Sequence, residues 1–182
     1  MPHLTDKRVA VLSTDGFEDS ELTEPVLALT EAGALVDIVS TKSGTITGKN
    51  GHESRVDLTT ADAEASNYDA LVLPGGVANG DTIRMDANAV AFTREFFEQH
   101  KPVAAICHGG WILTDADVLR GRKVTSFPSL KTDLRNAGAT WVDAEVVVDQ
   151  GLVTSRTPDD LPAFNAKLLE EISEDPHAKQ RA

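Results

Sequence analysis

Short apolar runs alternate along this chain with longer amphipathic stretches. Four of the runs cover residues 9–12, 35–40, 70–73 and 102–106. Such short runs are typical of strands that are buried on both faces of a parallel sheet. Between them, apolar residues recur at helical spacing over 22–30 and 87–99. The alternation predicts an α/β fold with a doubly wound, mostly parallel sheet that is sandwiched by helices.

Turn residues divide the rest of the chain into smaller elements. Two segments place β-branched residues around turn residues and are predicted to be hairpins. They cover 45–57 and 145–155, and the second turns at Gln150 and Gly151. The pattern also predicts one short strand and two helices, at 124–125, 130–137 and 158–172. The last residues, 174–182, are expected to fray.

The composition is that of an ordinary globular protein. The chain has 182 residues, of which 41% are hydrophobic and 25% charged. A single domain over 1–182, with its core at 7–172, is therefore expected to bury enough apolar surface to fold alone. One cysteine excludes an internal disulfide framework, and no apolar run is long enough to span a bilayer. No secretory signal precedes the first strand, so we expect a cytoplasmic protein with no membrane partner.

The formal net charge of −12 at pH 7 bears on the possible partners. Nucleic-acid surfaces need clustered Lys and Arg, whereas the basic residues here are scattered, so no nucleic-acid partner is expected. His3, His52, His100 and His177 are isolated along the chain and are interpreted as surface residues. No metal is predicted, because these histidines do not have the spacing of metal ligands. No cofactor is predicted either, because the glycine-rich turns lack the spacing of a phosphate-binding loop.

Three loops follow apolar strands and are expected to converge. Ligands of an open parallel sheet bind beyond the carboxyl ends of its strands, where 13–18, 74–76 and 107–110 all lie. The third loop begins with Cys107. A side chain on such a strand-to-helix turn stands clear of the sheet, as in a nucleophile elbow, and the start of the following helix favours the thiolate. Cys107 is therefore the candidate nucleophile, although a lone cysteine can also be core filler.

Residues of these loops could assist Cys107. If ionised, Glu18 would raise the thiol pKa, and if protonated it would stabilise the thiolate by a hydrogen bond; alternatively, it is part of an acidic helix start. Gly76 and His108 offer backbone N–H groups for an oxyanion hole, although a Gly-Gly turn alone is a weak signal. The His108 ring could act as a general base if it points towards the sulfur.

Several motifs, taken together and in order, resemble the PfpI family of intracellular proteases. They lie at 16–22, 71–76, 105–109, 119–123 and 141–149. This family is a branch of the DJ-1 superfamily and is related to class I glutamine amidotransferases. The resemblance covers about residues 7–172 and implies a flavodoxin-like α/β sandwich that assembles as a homodimer or larger homo-oligomer. It also implies a reactive Cys107, a protonated partner at Glu18, and an oxyanion site near Gly76 and His108.

Two positions depart from the pattern of that family. Where PfpI-type proteases have a glutamate that reaches across a subunit interface to orient the histidine, this chain has Gly80, followed by Asp81. Asp81 is a candidate substitute, but its shifted position and shorter side chain put the triad in question. Phe127 stands where the family often has tyrosine, which either removes a proton donor near the nucleophile or is neutral packing.

Two functions are consistent with these residues. In the first, which we favour, a stress-response hydrolase uses Cys107 to attack small carbonyl adducts, as a deglycase or glyoxalase would, or peptides. The incomplete triad favours small-carbonyl chemistry over proteolysis. In the second, the protein is a redox sensor or holdase in which Cys107 is oxidised to sulfenic or sulfinic acid and catalysis is slight.

Overall fold

Strands and short helices alternate along the chain, and a computed structural model describes them for residues 2–174 and 177–182. The strands are β1 (Arg8–Leu12), β2 (Leu35–Ser40), β3 (Thr45–Thr47), β4 (Glu53–Arg55), β5 (Leu58–Thr59), β6 (Ala70–Leu73), β7 (Val103–Ile106), β8 (Lys123–Val124), β9 (Thr140–Trp141), β10 (Val147–Asp149) and β11 (Leu152–Ser155). The α-helices are α1 (Asp19–Glu31), α2 (Val77–Ile83), α3 (Ala87–Glu98), α4 (Ile112–Asp115), α5 (Lys131–Asn136) and α6 (Leu161–Ser173). Short 3₁₀ turns cover Ala65–Asn67, Cys107–Trp111, Pro128–Leu130 and Pro158–Asp160. None of the described helices is long and apolar enough to cross a membrane.

Seven of the strands form one central sheet in the order β10-β11-β7-β6-β1-β2-β5. All neighbours in it are parallel except β10 and β11, which form an antiparallel hairpin. β3 pairs with β4 as a separate hairpin, and β8 pairs with β9. The predicted doubly wound, mostly parallel α/β sheet and both predicted hairpins are therefore confirmed.

Two apolar cores lie on the two faces of this sheet. Successive residues of a strand point to opposite faces. Val9 and Val11 of β1 therefore pack into one core, with α1 and α6, whereas Ala10 and Leu12 pack into the other, with α3 and α4. Because helices cover both faces, the strands are buried on both sides, which explains why they are short and apolar in the sequence.

The order of the strands reverses next to β1. The chain moves from β1 to β2 on one side and then returns to β6 on the other, which opens a crevice beyond the carboxyl ends of β1 and β6. The loops after β1, β6 and β7 meet there, and the N–H of Glu18 donates to the carbonyl of Gly75 (3.2 Å). The predicted convergence of 13–18, 74–76 and 107–110 is confirmed.

The sequence pattern does not predict helix α2. Its residues include glycine, asparagine and threonine, which are weak helix formers, so the helix depends on its packing. α2 lies against the turn that carries His108, and a Cβ on Gly80 would be 2.8 Å from the His108 carbonyl oxygen. This close approach leaves no room for a larger side chain at position 80.

The C-terminal tail is packed, not frayed, where the structure describes it. Residues 177–182 lie against the amino-terminal end of β7, where the fully buried Gln180 donates to the Lys101 carbonyl (3.1 Å). The N–H of His177 donates to the carbonyl of His100 (3.2 Å). The expected fraying is wrong for this segment, because polar contacts hold it without a periodic apolar pattern. Residues 175 and 176 lie outside the described structure.

We expect Gln180→Ala to release the tail without unfolding the sheet. The substitution removes a buried hydrogen bond, worth about 1 kcal/mol. Hydrogen exchange followed by mass spectrometry should become faster over 177–182 and stay unchanged in β6 and β7. Lys179→Ala alters an exposed neighbour and is the control. Equal protection in the Gln180 variant and the wild type would show that other contacts hold the tail.

Candidate active site

Cys107 lies on a strained turn directly after β7. Its φ angle is +59°, in the left-handed region that residues with a side chain rarely adopt. The 3₁₀ turn Cys107–Trp111 and then α4 lead away from the sheet. The predicted strand-to-helix elbow is therefore present, and Cys107, which is 9% exposed, lines the pocket above it.

A pocket of about 690 Å³ opens above the elbow. It is lined by Glu18, Lys49, Gly76, Val77, Cys107, His108, Phe127, Ser129, Thr157 and Pro158. Of the residues selected from the sequence, the structure brings Cys107, His108, Gly76 and Glu18 together here. Asp81 is not among the residues that line it.

Both ring nitrogens of His108 have partners within the chain. Nδ1 lies 3.3 Å from the Cys107 sulfur, and Nε2 lies 3.1 Å from the Ser129 hydroxyl. If Nε2–H donates to Ser129, the lone pair of Nδ1 faces the thiol. Burial lowers the His108 pKa, and the positive charge of Lys49 lowers it further, so the ring is neutral at pH 7. The ring therefore has the position and the neutral form that a general base requires.

Phe127 forms one wall of the pocket and positions the His108 ring. The two rings are stacked, with centroids 4.8 Å apart and planes inclined by 26°. The Phe127 N–H also donates to the Cys107 carbonyl (3.2 Å). At the position where the family often has tyrosine, Phe127 therefore packs against His108 and offers no hydroxyl group.

Two backbone N–H groups face the Cys107 sulfur. They belong to Gly76 and His108, and as hydrogen-bond donors they act to lower the thiol pKa. Gly76 has φ +95°, and a Cβ there would lie 2.4 Å from the Gly16 carbonyl oxygen. Only glycine can hold this N–H so near the sulfur. That the two donors form an oxyanion hole stays a prediction.

The carboxyl group beside the thiol belongs to Glu21, not to Glu18. Glu21 is fully buried in the first turn of α1, next to Cys107 and Gly75. Among the described residues, neither of its oxygens has a hydrogen-bond partner of good geometry. Burial, followed by the charge of Glu18, raises the pKa of Glu21 to about 8. Glu21 is therefore protonated at pH 7.

Glu18 lies at the mouth of the pocket. It is the residue before α1, and its carboxylate forms an ion pair with Lys49 from the β3–β4 hairpin. The protonated partner that the sequence analysis assigned to Glu18 is thus one helical turn further on, at Glu21. The physical reason is that residues three apart lie on the same side of a helix but at different depths.

The resting Cys107 is a thiol. Burial, and then the charge of Glu21, raises its pKa to about 12, against the smaller lowering by the two backbone N–H groups. The expectation of a resting thiolate is therefore wrong, because desolvation of the sulfur outweighs the effect of the turn behind it. Reaction requires a base to remove the thiol proton.

Within one chain, the structure does not bring Asp81 to His108, and its action across a subunit interface stays a prediction. Asp81 is exposed on α2, and it is the backbone of the preceding Gly80 that packs against His108. Within the chain, Ser129 occupies the orienting position at Nε2 instead. No sequence pattern marks Ser129, because only the packing of the Pro128–Leu130 turn places it beside the histidine.

Asn79 is a second residue that the sequence analysis missed. Its side chain is 1% exposed and connects two loops of the site. The amide oxygen accepts from the N–H of Thr14 (2.8 Å), and the amide nitrogen donates to the carbonyls of Pro74 (3.0 Å) and Gly75 (3.1 Å). Asn79 thereby sets the position of the turn that carries the Gly76 N–H.

Another group of ionisable residues lies away from the pocket. Among the described residues, Glu171, Glu174 and His177 bring ligand atoms within 4.8 Å of one another, a spacing that could hold a metal ion. His177, isolated in sequence, is paired with Glu171 (3.3 Å) and packs against Gly151, just before β11. The cluster is at the opposite end of the sheet from Cys107 and adds nothing to the chemistry there.

One family model and several known proteins match most of this chain. The model of the DJ-1/PfpI family matches residues 7–171. Protein/nucleic acid deglycase 2 of Escherichia coli (strain K12) is 49% identical over 166 residues, 90% of this chain and 96% of that protein. General stress protein 18 of Bacillus subtilis (strain 168) is 49% identical over 166 residues, with 90% and 96% covered. A two-domain structure from Anabaena variabilis, with DJ-1/ThiJ/PfpI-like and ferritin-like domains, has a TM-score of 0.89 and 37% identity over 97% of this chain and 52% of that chain.

One expectation about partners is contradicted by these relatives. The exclusion of nucleic acid does not hold, because the E. coli relative is named a deglycase of protein and nucleic acid. Net charge governs attraction to a phosphate backbone, not the entry of a modified group into a pocket. The charge of −12 therefore does not exclude such substrates.

We expect Glu21→Gln to change how stability depends on pH. The pKa of Glu21 is about 8 in the folded protein and near 4.5 when unfolded, so wild-type stability falls as pH rises through this window, by a few kcal/mol in total. The variant has no carboxyl group to ionise and lacks this loss. The difference in free energy of unfolding, variant minus wild type, should therefore increase between pH 4.5 and 8. Urea denaturation measures it, with the exposed Glu24→Gln as control. A pH-independent difference would contradict a neutral Glu21.

We expect Asn79→Ala to weaken the site as well as the fold. It leaves the Pro74 carbonyl without a donor and the Thr14 N–H without an acceptor, which costs about 1–3 kcal/mol. The rate of Cys107 alkylation by iodoacetamide at pH 7 should also change, because the Gly76 N–H is no longer held against the sulfur. Thermal unfolding and alkylation kinetics provide the two readouts. Asn88→Ala, at an exposed position of α3, should leave both unchanged; a stability loss with unaltered alkylation would limit Asn79 to a structural role.

Proposed function

The chain belongs to the DJ-1/PfpI family, and from that premise we propose that it is a cysteine-dependent stress-response enzyme acting on small carbonyl adducts. One observation carries the proposal. The Cys107 sulfur lies 3.3 Å from Nδ1 of His108, at the base of a pocket of about 690 Å³. A nucleophile beside a neutral base, in a pocket of the size that small substrates fill, is what covalent catalysis requires.

The reaction begins with a proton transfer, because the resting sulfur is protonated. His108 accepts the thiol proton at Nδ1 while the sulfur adds to the carbonyl carbon of the substrate. Ser129 holds Nε2 and keeps the ring in this orientation. The N–H groups of Gly76 and His108 stabilise the negative charge that develops on the carbonyl oxygen.

On a methylglyoxal adduct, the carbon attacked is the former aldehyde carbon: its bond to sulfur forms as its bond to the amine or thiol breaks, and His108 returns the proton to that leaving group. A proton shift from this carbon to its carbonyl neighbour, with no net oxidation, converts the bound hemithioacetal into a thioester of lactate. Water, with His108 as base, then hydrolyses the thioester, which releases lactate and restores the free thiol.

Glu21 contributes by staying neutral. Below a pH of about 8 its carboxyl group is protonated, so the sulfur gains negative charge without a second anion beside it. Above that pH, the carboxylate charge opposes the reaction. Activity should therefore rise as His108 loses its proton and fall as Glu21 ionises.

Small carbonyl adducts fit this site better than long peptides. The pocket is bounded by the ring of Phe127 and by Val77, and the ion pair of Glu18 with Lys49 lies at its mouth. Each of these groups limits the length of chain that can reach the sulfur. The deglycase name of the E. coli relative and the stress-protein name of the B. subtilis relative support the same choice.

A redox sensor or holdase has less support. Peroxide oxidises thiolates, whereas burial raises the pKa of Cys107 to about 12. A chain with one free thiol suits a reducing compartment, and we propose the cytoplasm as its location. We also propose a homodimer or larger homo-oligomer, because Val77 and Met85, both largely exposed apolar residues, lie on either side of Asp81.

We expect Cys107→Ala to abolish turnover of a methylglyoxal adduct of N-acetylcysteine while the fold persists. His108→Ala should lower kcat by roughly 10²–10⁴-fold, the range for a lost general base. His52→Ala, at an exposed position that does not line the pocket, should match the wild type. Lactate formation followed by NMR measures turnover, and circular dichroism checks the fold.

Lactate formation at the wild-type rate in Cys107→Ala would overturn the proposal. A fluorogenic peptide assayed in parallel separates the two substrate classes. Peptide cleavage that depends on Cys107, without lactate formation, would identify a peptidase instead.

A further inference from the structure

A second pocket, of about 310 Å³, lies at the opposite end of the sheet from Cys107. Four arginines line it, and we call it the arginine pocket: Arg94, Arg120, Arg122 and Arg181. Asp117 is the one acidic side chain in its wall, which Val118 and Ala182, the last residue of the chain, complete. In a chain with a net charge of −12, this concentration of positive charge around a concave site requires an explanation.

Arg122 is the buried centre of the arginine pocket. It is 5% exposed, and its guanidinium donates to the backbone carbonyls of Val118 (2.8 Å), Asp149 (3.3 Å) and Arg181. The group also lies over the Phe97 ring, 5.0 Å from its centroid. These partners hold the guanidinium in place, but none of them carries a negative charge.

The charge of Arg122 has no ion-pair partner in the described part of the chain. The Asp149 carboxylate accepts instead from the backbone N–H of Lys123 (2.6 Å). No carboxylate oxygen of the described residues forms a salt bridge with Arg122 within 4.0 Å. A buried cation without a counter-charge is costly, so the site favours an anion that would supply one.

The other three arginines are held around this centre. Arg94 donates to the Ala116 carbonyl (2.8 Å) as well as to Glu98 (2.9 Å). Arg120 pairs with Asp117 (2.7 Å) at the exposed rim. Arg181 comes from the tail, which the buried Gln180 anchors. Because the fold already orders most of these groups, an anion would bind with a reduced entropic cost.

We propose that the arginine pocket binds a small phosphate-bearing anion, either inorganic phosphate or a phosphate monoester. Guanidinium groups present pairs of N–H donors that match phosphate oxygens, and several of them can surround one tetrahedral anion. The volume is at the lower end for a ligand site and suits a phosphate with a short organic group. This site is independent of the function proposed for Cys107.

Calorimetric titration with inorganic phosphate and with glycerol phosphate, in chloride buffer of constant ionic strength, tests the proposal. Both ligands carry a phosphate group. The one that binds more tightly shows whether the pocket prefers inorganic phosphate or a phosphate monoester. Arg120→Gln and Arg181→Gln, chosen because both side chains are exposed and should not disturb folding, are each expected to weaken binding about tenfold. Arg135→Gln, an exposed arginine outside the pocket, should bind as the wild type does.

Protein alkylated at Cys107 should bind phosphate unchanged, because the two pockets are separate. Phosphate should also raise the Tm of the wild type but not that of the Arg120 and Arg181 variants. The absence of saturable binding at millimolar concentration would overturn the proposal. Equal weakening by all three arginine substitutions, or loss of binding after alkylation, would overturn it as well.

Discussion

Beneath the main pocket, a buried carboxyl group lies beside a buried thiol. The chemistry of the site depends on the cost of ionising either group there. Glu21 is fully buried beside Cys107 without a hydrogen-bond partner of good geometry in the described chain. Desolvation keeps both groups protonated at pH 7. The sulfur therefore depends on His108 to remove its proton, and His108 can do so because the same burial keeps its ring neutral.

Close packing of three loops creates this environment. Asn79 connects the loop after β1 to the loop after β6, so the N–H of Gly76 is held against the sulfur. Gly80 lets α2 approach the turn that carries His108. In the pattern of PfpI-type proteases, a glutamate from a neighbouring subunit orients the histidine. In this chain, Ser129 contacts His108 from within the same chain. The base therefore has an orienting contact within its own chain.

The two ends of the sheet have opposite electrostatic character. At the carboxyl end, burial suppresses charge on Glu21 and Cys107. At the amino-terminal end, the fold keeps charge on Arg122 and surrounds it with further arginines. Neutral backbone carbonyls can hold a guanidinium in place, but only an anion can balance its charge. The docked tail contributes Arg181 to this second site, which connects the packing of the tail to the chemistry of the arginine pocket.

Patterns along the chain were enough to predict the α/β class, the bounds of β2 and β6, the hairpin turn at Gln150 and Gly151, and the placement of Cys107 on an elbow. These features depend on local patterns, because short apolar runs must be buried and the carboxyl ends of parallel strands share one edge. Three features follow from packing alone: Glu21 and not Glu18 lies beside the thiol, Ser129 contacts His108, and the tail packs against the sheet. Each of these depends on how segments far apart in sequence pack together. Desolvation, which keeps the thiol protonated, likewise exists only once those segments have excluded water.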